Sequence, residues 1–248
     1  MTTLLEVRNL TRTFGALNAV AGVSFTVRKG ELVGLIGPNG AGKSTLYNLI
    51  AGAIAPTSGG IVFKDRPVAG WKPYQAARAG VARTFQIPKP YRHLSVVENV
   101  ALSAMLHDRT VAAACDSARA ILADVGLADH EDAPVGNLTV GLLKRLEVAR
   151  ALAMKPRLLL LDEVMAGLNL TEIERTIELV REINAAGITV IVIEHVMKAV
   201  LALCDRAMVL NFGRKLTEGK PLDVVNEPAV VEAYLGSRFA KSNAGSAA

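Results

Sequence analysis

Apolar residues along this chain follow two spacings, and the switches between them outline its elements. Leu4 to Leu10 and Val20 to Val27 carry an apolar side chain at roughly every second position, as half-buried strands do. Lys29-Gly30-Glu31 then turns the chain into an apolar run, Leu32 to Ile36, and Ser44 to Ala51 changes to a helical spacing. Pro56-Thr57-Ser58-Gly59-Gly60 punctuates that helix and leads to a short strand, Ile61 to Phe63. From Val96 to about Leu127 the period is helical, with no convincing strand. Leu158 to Leu161, Thr189 to Ile193 and Arg206 to Leu210 are buried strands by their composition, separated by helices Thr171 to Ala185 and Met197 to Leu203. The alternation predicts an α/β fold with a mainly parallel sheet, its core formed by residues of about 1–87 and 155–240 and interrupted by a helical insertion of about 88–154. The Ser, Gly and Ala of 241–248 predict a flexible tail.

Between the strand Leu32 to Ile36 and the helix after it lies Gly37-Pro38-Asn39-Gly40-Ala41-Gly42-Lys43-Ser44, followed by Thr45. This spacing is a phosphate-binding loop in its proper strand and helix context. Glycine tolerates the dihedrals that turn successive N–H groups inward, and it lets the backbone approach an anion closely. Lys43 then reaches the β- and γ-phosphates, Ser44 holds Mg²⁺, and the helix presents its positive end to the anion. The chain is expected to bind a nucleoside triphosphate. An Asn-Lys-x-Asp sequence that would read guanine is absent.

Composition changes this picture little. The chain has 248 residues and 51% apolar content, ample for a buried core, and no apolar run approaches the ~20 residues needed to span a bilayer. Its first ten residues form a strand pattern and not a signal peptide, so a cytoplasmic protein is expected. Cys115 and Cys204 lack metal-ligand spacing and are expected to be packed as small apolar side chains. A formal charge of +5 is spread without a basic block or an aromatic platform, which argues against nucleic-acid binding.

A second chemical constellation ends the strand Leu158-Leu159-Leu160-Leu161-Asp162-Glu163. An apolar strand closing on a carboxylate puts Asp162 at the carboxyl edge of the sheet, where open α/β sheets bind ligands and where it can support the Mg²⁺ beside Ser44. Glu163, one residue on, is expected to polarise the water that attacks the γ-phosphate.

With these elements in hand, nearly the whole chain, Leu4 to about Leu235, resembles the ATP-binding cassette subunit of an ABC transporter. Gln86 in Arg83-Thr84-Phe85-Gln86, Leu138-Thr139-Val140-Gly141-Leu142 before a helix, Ala166-Gly167-Leu168-Asn169, and His195 after a strand are similar to that family's further motifs. The resemblance implies a P-loop ATPase core, an N-terminal antiparallel β-subdomain and a helical subdomain. It implies that Phe14 stacks on adenine, that Gln86 joins Mg²⁺ and water, and that His195 contacts the γ-phosphate. It also implies that Thr139 and Gly141, at a helix N-terminus, face the ATP held by a second cassette. Val140, Leu142, Val164 and Asn169 depart from the family's usual residues at their positions, while Lys43, Asp162, Glu163 and His195 are all kept. ATP hydrolysis with Mg²⁺ is therefore expected.

Within the family, Gly80 to Pro88, Leu94 to Val100, Ile193 to Met197, Gly219-Lys220-Pro221 and Val231 to Gly236 look like the ATPase subunits of branched-chain amino-acid importers. Related importers of urea and short amides share much of this pattern. The resemblance implies two integral-membrane permease subunits, a second ATPase subunit, heterodimeric in the cell while a homodimer can form in isolation, and an external solute-binding protein. It implies a peripheral place on the cytoplasmic face of the inner membrane. A soluble cassette acting on DNA or the ribosome is the rival class, against which the single compact cassette argues.

Overall fold

A computed structural model of the chain describes residues 2–235, so Gly236 and the tail expected to be flexible, 241–248, lie outside the described residues. Ten strands and nine α-helices follow one another among the described residues. The strands are β1 (Thr3–Phe14), β2 (Leu17–Arg28), β3 (Leu32–Ile36), β4 (Ser58–Phe63), β5 (Arg66–Pro67), β6 (Val81–Arg83), β7 (Leu158–Asp162), β8 (Thr189–Ile193), β9 (Arg206–Asn211) and β10 (Arg214–Gly219). The helices are α1 (Lys43–Ile50), α2 (Pro73–Ala79), α3 (Val96–Ala104), α4 (Val111–Asp124), α5 (Val140–Ala153), α6 (Leu170–Ala185), α7 (Met197–Leu203), α8 (Pro221–Val225) and α9 (Pro228–Leu235).

One sheet has the order β2-β1-β4-β5 and is antiparallel throughout. The other has the order β10-β9-β3-β8-β7-β6; its pairs are parallel except β9 with β10. The mainly parallel sheet, the antiparallel N-terminal sheet and the helical stretch after β6 thus appear as expected. Because β3, β6, β7 and β8 run in one direction, their carboxyl ends share one edge of the sheet. The chain leaves that edge into the phosphate loop, toward Gln86, through Asp162 and Glu163, and toward His195, which is how residues distant in sequence converge.

Period-two alternation divides these strands between two cores. Leu159 and Leu161 of β7 and Val190 and Val192 of β8 pack with residues of α3 to α9, while Leu158, Leu160, Ile191 and Ile193 pack with α1 and the antiparallel sheet. Every side chain of β7 and β8 is buried, each large apolar one contributing roughly 1.5–3 kcal/mol, so the sheet is the rigid element on which the site stands. Cys204 is buried and Cys115 half-buried, and both are free thiols. No helix among the described residues is long and apolar enough to cross a membrane.

Where the elements differ from the sequence pattern, close contacts account for it. Gly59, which the pattern places in a turn, lies inside β4 at φ 86°, and a Cβ there would stand 2.3 Å from the carbonyl oxygen of Asn9 on β1. Glycine is needed because the neighbouring strand lies so close. β10 is polar at nearly every position, an edge strand paired on one side only.

Tyr47 of α1 is fully buried, and its hydroxyl lies 2.6 Å from the carbonyl oxygen of Ile191 and 3.2 Å from that of Leu161. Burial keeps this phenol protonated far above its ordinary range, so it bolts the phosphate-loop helix to β7 and β8 as a donor. Tyr47→Phe should lower unfolding free energy by about 1–2 kcal/mol in urea titration; an unchanged midpoint and slope would show that the bolt carries nothing.

Candidate nucleotide-binding site

The phosphate loop is built around two positions that admit no side chain. Gly37 follows β3 at φ 144°, where a Cβ would lie 2.1 Å from the Leu210 carbonyl oxygen, and Gly42 has φ 102°, with its Cβ 2.2 Å from that of Ala19. Gly42 caps α1 without any side-chain hydrogen bond. The first amides of α1, those of Lys43, Ser44 and Thr45, thus have neither an acceptor in the preceding turn nor a capping side chain, which makes them an open anion cradle. Lys43 is buried, and its ammonium donates to the carbonyl oxygens of Gly37 at 2.7 Å and Pro38 at 3.0 Å. Burial lowers its pKa, against the opposing pull of Glu163 and Asp162.

A cavity of about 550 Å³ opens over this loop, lined by Asn39, Gly40, Ala41, Gly42, Lys43, Ser44 and Thr45 together with Phe14, Gln86 and Glu163. The structure therefore gathers residues of four separate sequence motifs around one space. Phe14 closes β1 at the cavity wall, 45% exposed, with the Arg12 guanidinium 4.5 Å from its ring centroid. A larger cavity, about 740 Å³ between α4 and α6, contains none of the predicted residues.

Glu163 is the hub of the polar contacts. Its carboxylate accepts from the Gln86 side-chain amide at 2.7 Å and pairs with His195 Nε2 at 2.8 Å, while its N–H donates to the Ile193 carbonyl at 2.9 Å. The residue adopts φ 50°, a left-handed backbone uncommon for a side chain of this kind and held here by bonds on both sides. Asp162, just before it, is buried and has one carboxylate oxygen with no hydrogen-bond partner, while its N–H donates to the Thr84 hydroxyl at 2.9 Å. Burial raises its pKa; Arg83 is the strongest opposing charge.

No cluster of three or more His, Cys, Asp or Glu side chains able to hold a metal by themselves occurs among the described residues. The donor set fits Mg²⁺ all the same, because that ion binds through one or two protein oxygens plus phosphates and waters. The exposed Ser44 at the cavity and the orphaned oxygen of Asp162 are such oxygens.

Thr139 and Gly141 do not line the cavity. The Thr139 hydroxyl caps α5, accepting from the Leu142 N–H at 3.4 Å. Gly141 is buried at the start of α5, and a Cβ on it would meet a carboxylate oxygen of Glu172 at 2.7 Å. Asn169 caps α6 reciprocally with Glu172, which an amide does as well as the usual acid.

Several residues at the site carry no local sequence signal. Phe212, at φ 46° in the turn after β9, stands 84% exposed on the cavity rim beside Gly213 and Asn18. The N–H of Gly37 donates to the Tyr234 hydroxyl of α9 at 2.6 Å. Glu194 is 1% exposed, accepts from the Met165 N–H at 3.0 Å through one oxygen and leaves the other unpartnered. Only an isolated acid before a predicted site histidine marked it.

Fold and cavity together define a P-loop nucleotide-binding module. The chain belongs to the ABC transporter family, whose sequence pattern matches residues 20–166, and a second pattern, that of the branched-chain amino acid ATP-binding cassette transporter, matches residues 214–240. It is 40% identical over 249 residues to the high-affinity branched-chain amino acid transport ATP-binding protein LivG of Salmonella typhimurium, covering 94% of this chain and 98% of that one. It is 36% identical to BraF of Pseudomonas aeruginosa, a protein of the same description, over 94% of this chain and 98% of that one. Among solved structures, the ADP conformation of MJ1267, an ATP-binding cassette of an ABC transporter, is similar with a TM-score of 0.87 and 31% identity, covering 96% of this chain and all of that one.

Glu194 generates a pH prediction. Burial first, then the nearby Glu163 carboxylate, raise its pKa from an ordinary 4.5 to about 7, against the Met165 and His195 amides and Lys144. The folded state thus keeps this proton up to about pH 7 while the unfolded chain releases it near 4.5, so stability falls as pH rises through that window. The full effect is about 3 kcal/mol. Glu194→Gln should abolish it, which urea unfolding of both proteins at pH 5 and pH 8 measures; parallel pH dependence of the two would contradict it.

Proposed function

We propose that this chain is the ATP-hydrolysing subunit of an importer of branched-chain amino acids. The observation that carries the hydrolytic part is the hydrogen-bonded set Gln86, Glu163 and His195, of which Gln86 and Glu163 line the cavity over the phosphate loop. The solute class is supported by the likeness to LivG and BraF and by the C-terminal pattern over 214–240.

In this reading the amides of Gly40 to Thr45 cradle the β- and γ-phosphates, and Lys43 leaves the carbonyls of Gly37 and Pro38 to reach them. Phe14 offers the adenine a stacking face. Ser44, Asp162 and Gln86 would hold Mg²⁺, which would supply positive charge to offset that of the phosphates. Glu163 takes a proton from the attacking water, whose oxygen bonds to the γ-phosphorus as the bond to the β,γ-bridging oxygen breaks, leaving ADP and phosphate. Gln86 and His195 orient the Glu163 carboxylate, and His195 also contacts the γ-phosphate.

The end of α5, with Thr139, meets ATP bound by a second cassette, a different ATPase chain in the cell and a second copy of this one in isolation. The helical segment 88–154 and the stretch after Gln86 hold two permease subunits at the cytoplasmic face of the membrane, the solute being delivered by an external binding protein. Closure of the paired cassettes on ATP turns the permease, and hydrolysis resets it.

Glu163→Gln should lower turnover about a hundredfold or more while leaving ATP affinity intact, as steady-state hydrolysis and equilibrium binding would measure; normal turnover refutes the role given to Glu163. In lipid vesicles with permease and binding protein, leucine, isoleucine or valine should stimulate hydrolysis. Stimulation by urea or short amides instead, or by no solute, overturns the substrate class.

A further inference from the structure

The helix that carries Thr139 also reaches into the catalytic segment from behind. Lys144, on α5, is 9% exposed, and its ammonium donates to the carbonyl oxygen of Glu163 at 2.7 Å and to that of Ala166 at 2.6 Å. A buried ammonium must find such acceptors, and these are the two backbone carbonyls that bracket Val164 and Met165. The buried Glu194 accepts from the Met165 N–H of the same segment. One buried cation and one buried acid therefore grip the same four-residue segment, the cation by its carbonyls and the acid by its amide.

We propose that Lys144 is a positioning residue that holds the backbone of Glu163 in its catalytic geometry and links it to the helix bearing Thr139. The inference rests on the role given to Glu163 above. At φ 50° the Glu163 backbone is in a region that persists only where neighbours over-determine it. Fixing its carbonyl fixes the direction in which the side chain leaves, and so the approach of its carboxylate to Gln86 and His195. Lys144 lies five residues after the Thr139 cap on one rigid helix, and Gly141 is packed tightly against Glu172 of α6. A shift of α5 when Thr139 engages the ATP of a paired cassette is thereby passed through the ammonium to the hydrolytic residue of this chain's own site. The link crosses one side chain and two hydrogen bonds.

The test compares ATP hydrolysis and equilibrium nucleotide binding by the full chain, purified with its partner subunits, as wild type, Lys144→Met, Lys144→Gln, Lys144→Arg and Glu163→Gln. Lys144→Met should lower kcat about tenfold or more with KM and nucleotide affinity within about twofold, because only the catalytic geometry is lost. Lys144→Arg, whose guanidinium can span both carbonyls, should recover most of that kcat. Lys144→Gln keeps a neutral donor for one carbonyl, should fall between them, and decides the matter if the methionine variant does not fold. Wild-type kcat in the methionine or glutamine variant, alongside an inactive Glu163→Gln, overturns the inference alone. So does a parallel loss of kcat and affinity in all three Lys144 variants, which marks a merely structural role. Turnover by Glu163→Gln removes the reading on which the inference stands.

Discussion

Everything at this site depends on a backbone that cannot carry side chains at two points. At Gly37 and Gly42 the loop after β3 passes so close to the carbonyls of Leu210 and Ala19 that a single added carbon would overlap them. That closeness lets the chain turn sharply enough to leave the first amides of α1 unpaired and facing outward. Unpaired amides are costly in a buried setting and valuable beside an anion, so the loop holds in reserve the hydrogen bonds that phosphate oxygens accept. The surrounding structure holds this arrangement from two sides. Tyr47 ties α1 down to the central strands, and Tyr234 of α9 holds the amide of Gly37.

The carboxylates beside the phosphate loop follow from the same sheet. Parallel pairing of β7 with β8 sets Asp162 beside Ile193, so Glu163 and His195 leave neighbouring strand ends and meet at 2.8 Å without any sequence proximity. Burial acts on the charged groups here in different ways. It raises the pKa of Asp162 and Glu194, lowers that of Lys43, and forces Lys144 to seek backbone carbonyls. The result is a set of charges whose partners are few and fixed, a low-dielectric environment in which hydrogen bonds gain strength.

The parts legible in the sequence were those whose physics is local. Strand alternation, the phosphate loop, the carboxylate closing β7 and the switch from strand to helical period after β6 each depend on neighbours within a few residues. Helices α1, α6 and α7 lie within a residue of the positions their periodicity marks. What the pattern hid depends on contacts across the fold. Gly59 looks like a turn until β1 is beside it, and the polar β10 is a strand only because β9 pairs with it. Lys144, Glu194, Tyr234 and Phe212 have no motif, because their partners or neighbours at the site lie 19 to 197 residues away or are a cavity rim.

In the proposed function the nucleotide is recognised by its phosphates, and calorimetric titration of the full chain with ATP, ADP and AMP in the presence of Mg²⁺ tests that most directly. Loop amides and Lys43 aimed at the β- and γ-phosphates predict that ATP and ADP bind within about tenfold of each other and AMP at least about a hundredfold more weakly, a loss of ~2.7 kcal/mol or more. AMP binding as tightly as ATP would move recognition to the base and sugar and contradict the cradle as the origin of the site.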